Sequence, residues 1–153
     1  MLISPALVAL VIQARAPWVP ERRASVLAAA IAASGAETFD DVAALVVIGE
    51  RESAWRVSVG VCAVPGIGGW GYFGVAGLWS RRFPGGTCGS PQLQARAALG
   101  IMRIGAGRSW RTTFGHYIGA ISAGRHPEAI RRARDFEATR ALLVWHADRL
   151  ARE

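Results

Sequence analysis

The chain has 153 residues and a formal net charge of +7, enough for one domain with a buried core and too few for two ordinary ones. Its apolar runs are broken by Arg, Glu, Gly or Pro short of the ~20 residues a bilayer span needs, which argues against a membrane-spanning segment. Every basic residue is Arg, and the excess charge implies polyanionic surroundings without choosing among nucleic acid, anionic lipid and an anionic cell wall.

The stretch from Leu2 to Ile12 has the apolar character of a signal-peptide core, and Ala14 and Ala16 hold the small-residue positions of a cleavage site. No basic residue precedes it, so the preferred expectation is an amphipathic first helix over Pro5 to Arg15. A second helix is expected from about Pro20 to Ser34, with proline in its first turn and Gly35 as its stop. A third begins at Thr38-Phe39-Asp40-Asp41, an acidic capping box in which the Thr hydroxyl takes a free N–H and Asp41 reaches back. From Val42 to Ile48 it is apolar on nearly all sides, as a helix packed centrally should be.

From Val57 to Gly89 helical periodicity gives way to glycines, prolines and aromatics, so loop, turn or a short hairpin is expected. Trp70, Tyr72, Phe73, Leu78 and Trp79 make this insertion too apolar for a solvated tether. Cys62 and Cys88 flank it. They could bridge in an oxidising compartment or remain free thiols, and no CxxC or paired His suggests a metal site. Helical pattern resumes at Ser90-Pro91 and runs to about Ile104, followed by helices over Trp110 to Ile121 and Pro127 to Arg149. In the last, Ile130, Ala133, Phe136, Leu143, Ala147 and Leu150 follow the spacing of a buried stripe. Arg131, Arg132 and Arg134 sit there among Glu128, Asp135 and Glu137, the mixture typical of a solvated face, so nucleic-acid binding is not expected.

Two carboxylates, Glu50 and Glu52, close the strongly apolar third helix. Either helix register carries them to solvent beside Arg51 or Arg56, or one is buried for a purpose, since burying a carboxylate costs several kcal/mol. A carboxyl at a helix C-terminus between apolar walls favours its neutral form. That is the state a general acid for glycosidic cleavage requires, and neutralising such a group by Glu→Gln should leave stability unchanged or raised.

Ile48-Gly49-Glu50-Arg51-Glu52-Ser53 resembles the catalytic helix end of goose-type lysozymes and soluble lytic transglycosylases, where the acid is the Glu directly followed by Ser. Gly69-Trp70-Gly71-Tyr72-Phe73-Gly74-Val75-Ala76-Gly77-Leu78-Trp79-Ser80 resembles that family's Gly-rich segment, with Trp79 and Ser80 in place of its Met and Gln. Phe114-Gly115-His116-Tyr117-Ile118-Gly119-Ala120 falls where the family carries a Tyr-Asn-Ala-Gly element. There Tyr117 matches and Ile118 replaces Asn.

The resemblance covers about Thr38 to Ala123. It implies a mainly α, lysozyme-like domain over 1–153 that cleaves peptidoglycan glycan strands outside the cytoplasm or from a virion, without cofactor or metal. Glu52 would be the acid, with Gly77, Leu78, Trp79 and Tyr117 around the substrate and Ser53 either orienting that neighbourhood or capping the local backbone. Trp70, Tyr72 and Phe73 could stack on sugars or belong to the core, and His116 could line the site or be structural. No Asp or Glu occurs between Glu52 and Glu128, so the usual second carboxylate is missing unless Glu128 or a later acid folds back. A lone acid suits the transglycosylase route, in which the sugar's own 6-hydroxyl closes a 1,6-anhydro ring. The competing expectations are a non-catalytic glycan-binding domain of a phage or secretion apparatus and a basic nucleic-acid binder. Nothing in the sequence specifies the oligomeric state.

Overall fold

A computed structural model of the chain describes residues 3–67, 69–106, 109–119 and 123–152. They form helices α1 (Pro5–Arg15), α2 (Glu21–Ala32), α3 (Phe39–Ser53), a single turn α4 (Val57–Gly60), α5 (Pro91–Ile104), α6 (Trp110–Tyr117) and α7 (Pro127–Leu150). The chain is mainly helical, and there is no strand among the described residues. None of these helices is long and apolar enough to cross a membrane.

Local chemistry accounts for the ends of these helices. Thr38 Oγ1 accepts from the Asp41 backbone N–H at 3.1 Å while Asp41 Oδ2 accepts from the Thr38 N–H at 3.2 Å, closing the expected capping box. Ser90 and Ser109 cap α5 and α6 in the same manner, each accepting an N–H three residues ahead. Pro20 stands just before α2 as its N-cap, and α6 stops at Tyr117 rather than continuing to Ile121. Ala120 and Ile121, included in the expected element, lie outside the described residues.

Packing surrounds α3. Val42 through Ile48 are wholly buried, with α7 along one side and α5 and α2 on others. Each buried Leu, Ile or Phe of this core contributes roughly 1.5–3 kcal/mol. Trp110 stacks on Phe136 at 4.1 Å between ring centroids, joining α6 to α7.

The buried stripe of α7 matches the apolar spacing in part: Phe136 and Leu143 are buried and Ala133 and Ala147 pack against the core. Ala129, Arg132, Phe136, Thr139 and Leu143 face inward, whereas Leu150 is exposed and Ile130 only partly covered. Two polar residues occupy the inner face, and a count of apolar residues cannot locate them.

The insertion contains no hairpin among the described residues. Gly69, Gly71 and Gly74 all take positive φ, which interrupts an extended run. Its backbone is tied instead by one buried side chain. Gln94 of α5 accepts from the Tyr72 N–H at 2.7 Å and donates to the carbonyls of Gly60 and Gly89 at 2.8 and 2.7 Å. Cys62 and Cys88 are bonded to each other across the insertion.

Candidate active site

Helix α3 ends where Ala54 and Trp55 both turn to positive φ. The buried Trp55 ring folds back onto Gly49, where any β-carbon would collide with it. Two residues apart on a helix means about 200° apart around its axis, so Glu50 and Glu52 leave α3 on opposite sides.

Glu50 meets α1. Arg15 donates to it from Nε at 3.0 Å and from Nη2 at 3.3 Å. Arg15 also approaches Asp135 of α7 at 3.6 Å, and Asp135 pairs with Arg51. This network joins three helices and does not line the cleft.

Glu52 meets the insertion and the start of α7. It is 4% exposed, and its Oε1 lies 2.8 Å from Nη2 of Arg132, which is equally buried. On its other side the chain comes very close. A β-carbon on Gly74 would sit 2.6 Å from Glu52 Oε2, and Gly74 has φ +59°, so the close approach and the backbone both favour glycine there. The Ile67 N–H donates to the Glu52 carbonyl at 2.9 Å, so the insertion also caps the helix end.

The carboxylate opens on a cleft of about 680 Å³. Gly74 to Ala76, Leu78 and Trp79 form one wall, His116, Tyr117 and Ile118 of the α6 end a second, and His126, Glu128 and Arg132 a third. The three sequence elements identified separately thus converge on one cavity. A smaller cavity of about 300 Å³, lined by Leu99, Met102 and Trp110 beside the Asp41–Arg103 ion pair, holds no comparable constellation.

Glu128 folds back to this cleft. Its Oε1 accepts from Arg132 Nε at 3.1 Å and its Oε2 from Arg131 Nε at 3.0 Å. Partial burial alone would favour the neutral acid, but the bonds from Arg132 and Arg131 outweigh it and hold the carboxyl below its ordinary range. Both oxygens accept from arginines, so Glu128 is held as a carboxylate at the cleft wall and anchors Arg132. The cleft acid therefore has an arginine partner that α7 presents and Glu128 anchors. A guanidinium at this distance favours a carboxylate over a carboxylic acid, contrary to the apolar surroundings expected from sequence.

Tyr117 donates its hydroxyl to the Phe73 carbonyl at 2.7 Å, linking α6 to the insertion. Burial pushes its phenol up, the nearby Glu52 charge adds to this and Arg132 opposes it. Tyr117 remains a neutral donor. Leu78 is largely exposed at the rim and Gly77 adjoins it in the short 3-10 turn Gly77–Trp79. His116 lines the cleft.

Four residues considered for substrate contact do not line the cleft. Tyr72 is buried in the core, its ring against Gly60 and 6.4 Å from that of Trp55, and so is Phe73. Trp70 is exposed and does not line the cleft. Ser53 is fully buried, donating to the Gly49 carbonyl at 2.9 Å and accepting from the Trp55 N–H at 3.0 Å. It shapes the helix end and does not face substrate.

Sequence reading missed Arg132, Gly74 and Gln94. For Arg132 a signal existed, because Glu128 lies four residues before it and can reach it on a helix. Its inward direction had none. Among the described residues no group of three or more His, Cys, Asp or Glu could hold a metal ion. No family model matches the chain, and no curated protein or solved structure is significantly similar to it. What the fold and site define is a helical domain with one buried carboxylate facing a cleft of mixed apolar and polar walls.

Proposed function

We propose that this chain is a peptidoglycan lytic transglycosylase that cleaves the β-1,4 bond between N-acetylmuramic acid and N-acetylglucosamine with Glu52 as its only acid. The observation that carries the reading is the buried Glu52 carboxylate, pressed against Gly74 at the floor of a cleft walled by the Gly-rich segment and Tyr117. In the reaction the Glu52 carboxyl gives its proton to the glycosidic oxygen as the bond from that oxygen to C1 of the muramic residue breaks. The 6-hydroxyl of the same residue then bonds to C1 and its proton returns to Glu52. No water is consumed, and the glycan acquires a 1,6-anhydro end.

Glu128 suits a single-acid route, since its bonds from Arg132 and Arg131 hold it in the charged form and leave Glu52 as the proton donor. The bridged Cys62 and Cys88 suit work at the wall, outside the reducing cytoplasm. The second reading, an inactive glycan-binding domain, draws support from Ile118, which puts an apolar side chain on the cleft wall where the family has an amide. Arginines at 15, 51, 103, 131, 132 and 140 are paired with carboxylates and lend no specific support to nucleic-acid binding.

Mass spectrometry of soluble products from purified peptidoglycan is the test. Anhydro ends are expected. Reducing ends would make the protein a hydrolase, and retention on the glycan without products would make it the inactive binder.

A further inference from the structure

The proposed chemistry leaves the most buried arginine of the cleft without a task. The side chain of Arg132 is 4% exposed and its guanidinium is shared, with Nη2 on Glu52 and Nε on Glu128. Its Nη1 is buried with no hydrogen-bond partner among the described residues. A cation so desolvated is held only by its carboxylates, and what it gives to one it withholds from the other. Glu128 is positioned independently of that exchange. Arg131 holds its second oxygen, and its place in the first turn of α7, where His126 Nδ1 accepts from the Glu128 N–H at 3.1 Å, favours negative charge.

Among the described residues that line the cleft, three other groups can titrate beside Glu52, Glu128 and Arg132. His116 and Tyr117 come from α6 and His126 from the start of α7, while the wall from Gly74 to Trp79 and Ile101 of α5 contribute none. On α3 itself, Glu50 and Arg51 are engaged with Arg15 and Asp135, although Arg51 also acts on Glu128 at longer range.

We propose that Arg132 and Glu128 are positioning residues that together set the proton affinity of Glu52. Arg132 orients the carboxylate and favours its charged form, and Glu128 draws off part of that influence so that Glu52 can carry a proton when glycan fills the cleft. The proposal rests on Glu52 being the acid. It makes two substitutions act in opposite directions. Glu128→Gln removes a negative charge and leaves Arg132 to Glu52, so protonation of Glu52 should require lower pH. Arg132→Gln removes the cation and leaves two carboxylates near one another, so protonation should occur at higher pH. A purely structural role for the pair predicts no such opposition.

The measurement is a carbon-13 NMR titration of the Glu52 side-chain carboxyl in the intact protein and both variants, beside the pH profile of product release from peptidoglycan. We expect the Glu52 midpoint to fall by about one pH unit in Glu128→Gln and to rise by at least about one in Arg132→Gln. The alkaline limb of cleavage should follow, so that Glu128→Gln loses about tenfold in rate on that limb. An unmoved or raised midpoint in Glu128→Gln overturns the proposal, and this variant decides even if Arg132→Gln fails to fold. Opposite shifts without any cleavage by the intact protein would uphold the charge pair and remove the glycosidase reading. Cleavage with unmoved midpoints would do the reverse.

Discussion

Helix α3 meets α7 through two arginine–carboxylate networks that begin two residues apart. At Glu50 the network is Arg15, Asp135 and Arg51, with side chains 16–34% exposed, and it ties α1, α3 and α7 together. At Glu52 it is Arg132 and Glu128, with the central pair 4% exposed on each side and a cleft in front. The chemical groups are the same. Their difference lies in what else approaches: Gly74 closes on Glu52, whereas at Glu50 partial exposure lets water screen the charges. An ion pair near water is mostly architecture, while one sealed beside a cavity responds strongly to the loss of either partner.

The largest expected contrast is catalytic. Glu52→Gln should lower glycan release by ~10²–10⁴ or more, since the amide keeps the shape but has no proton to give. Glu50→Gln should leave release near normal. Equal rates in the two variants, measured as soluble product per unit time, would erase the distinction between the networks.

Gly74→Ala comes next. The new β-carbon would strike the Glu52 carboxylate and the backbone would be held at φ +59°, a strain of about 1–2 kcal/mol before the collision is counted. Cleavage should drop at least tenfold with a lowered melting temperature, and a fully active, equally stable variant would show that the insertion does not press on the acid.

Stability separates the same two carboxylates less widely. Glu52→Gln leaves the buried Arg132 with one charged partner instead of two, so a loss of about 1–3 kcal/mol is expected in denaturant unfolding. This reverses the sequence-based expectation of unchanged or raised stability, because that expectation did not include the arginine. Glu50→Gln should cost about 1–2 kcal/mol, as Arg15 retains Asp135 nearby. A stabilised Glu52→Gln would mean that the Arg132 pair is not formed in solution.

The smallest effect concerns acid. Glu128 titrates below its ordinary value of about 4.5 in the folded chain, so its contribution is complete above that value and disappears as pH falls through the lowered one. Glu128→Gln should therefore flatten the stability decline below about pH 4.5 relative to the unaltered protein. Identical acid unfolding curves would place no weight on its bonds to Arg131 and Arg132.

Much of this was legible locally. The capping box at Thr38, the Ser90-Pro91 start of α5, the proline starts of α1 and α7 and the apolar wrap of α3 are decided within three or four residues, by hydrogen bonds and φ limits that a short segment carries alone. Local sequence also marked Glu52 as a carboxylate at an apolar helix end. Which side of α7 turns inward, that Tyr72 belongs to the core, and that Glu128 returns to the cleft were decided only when α7 packed on α3 and Tyr72 closed on Gly60. Those outcomes join residues as far apart as Glu52 and Arg132. Desolvation and close packing act between surfaces, and neither surface exists until the helices have met.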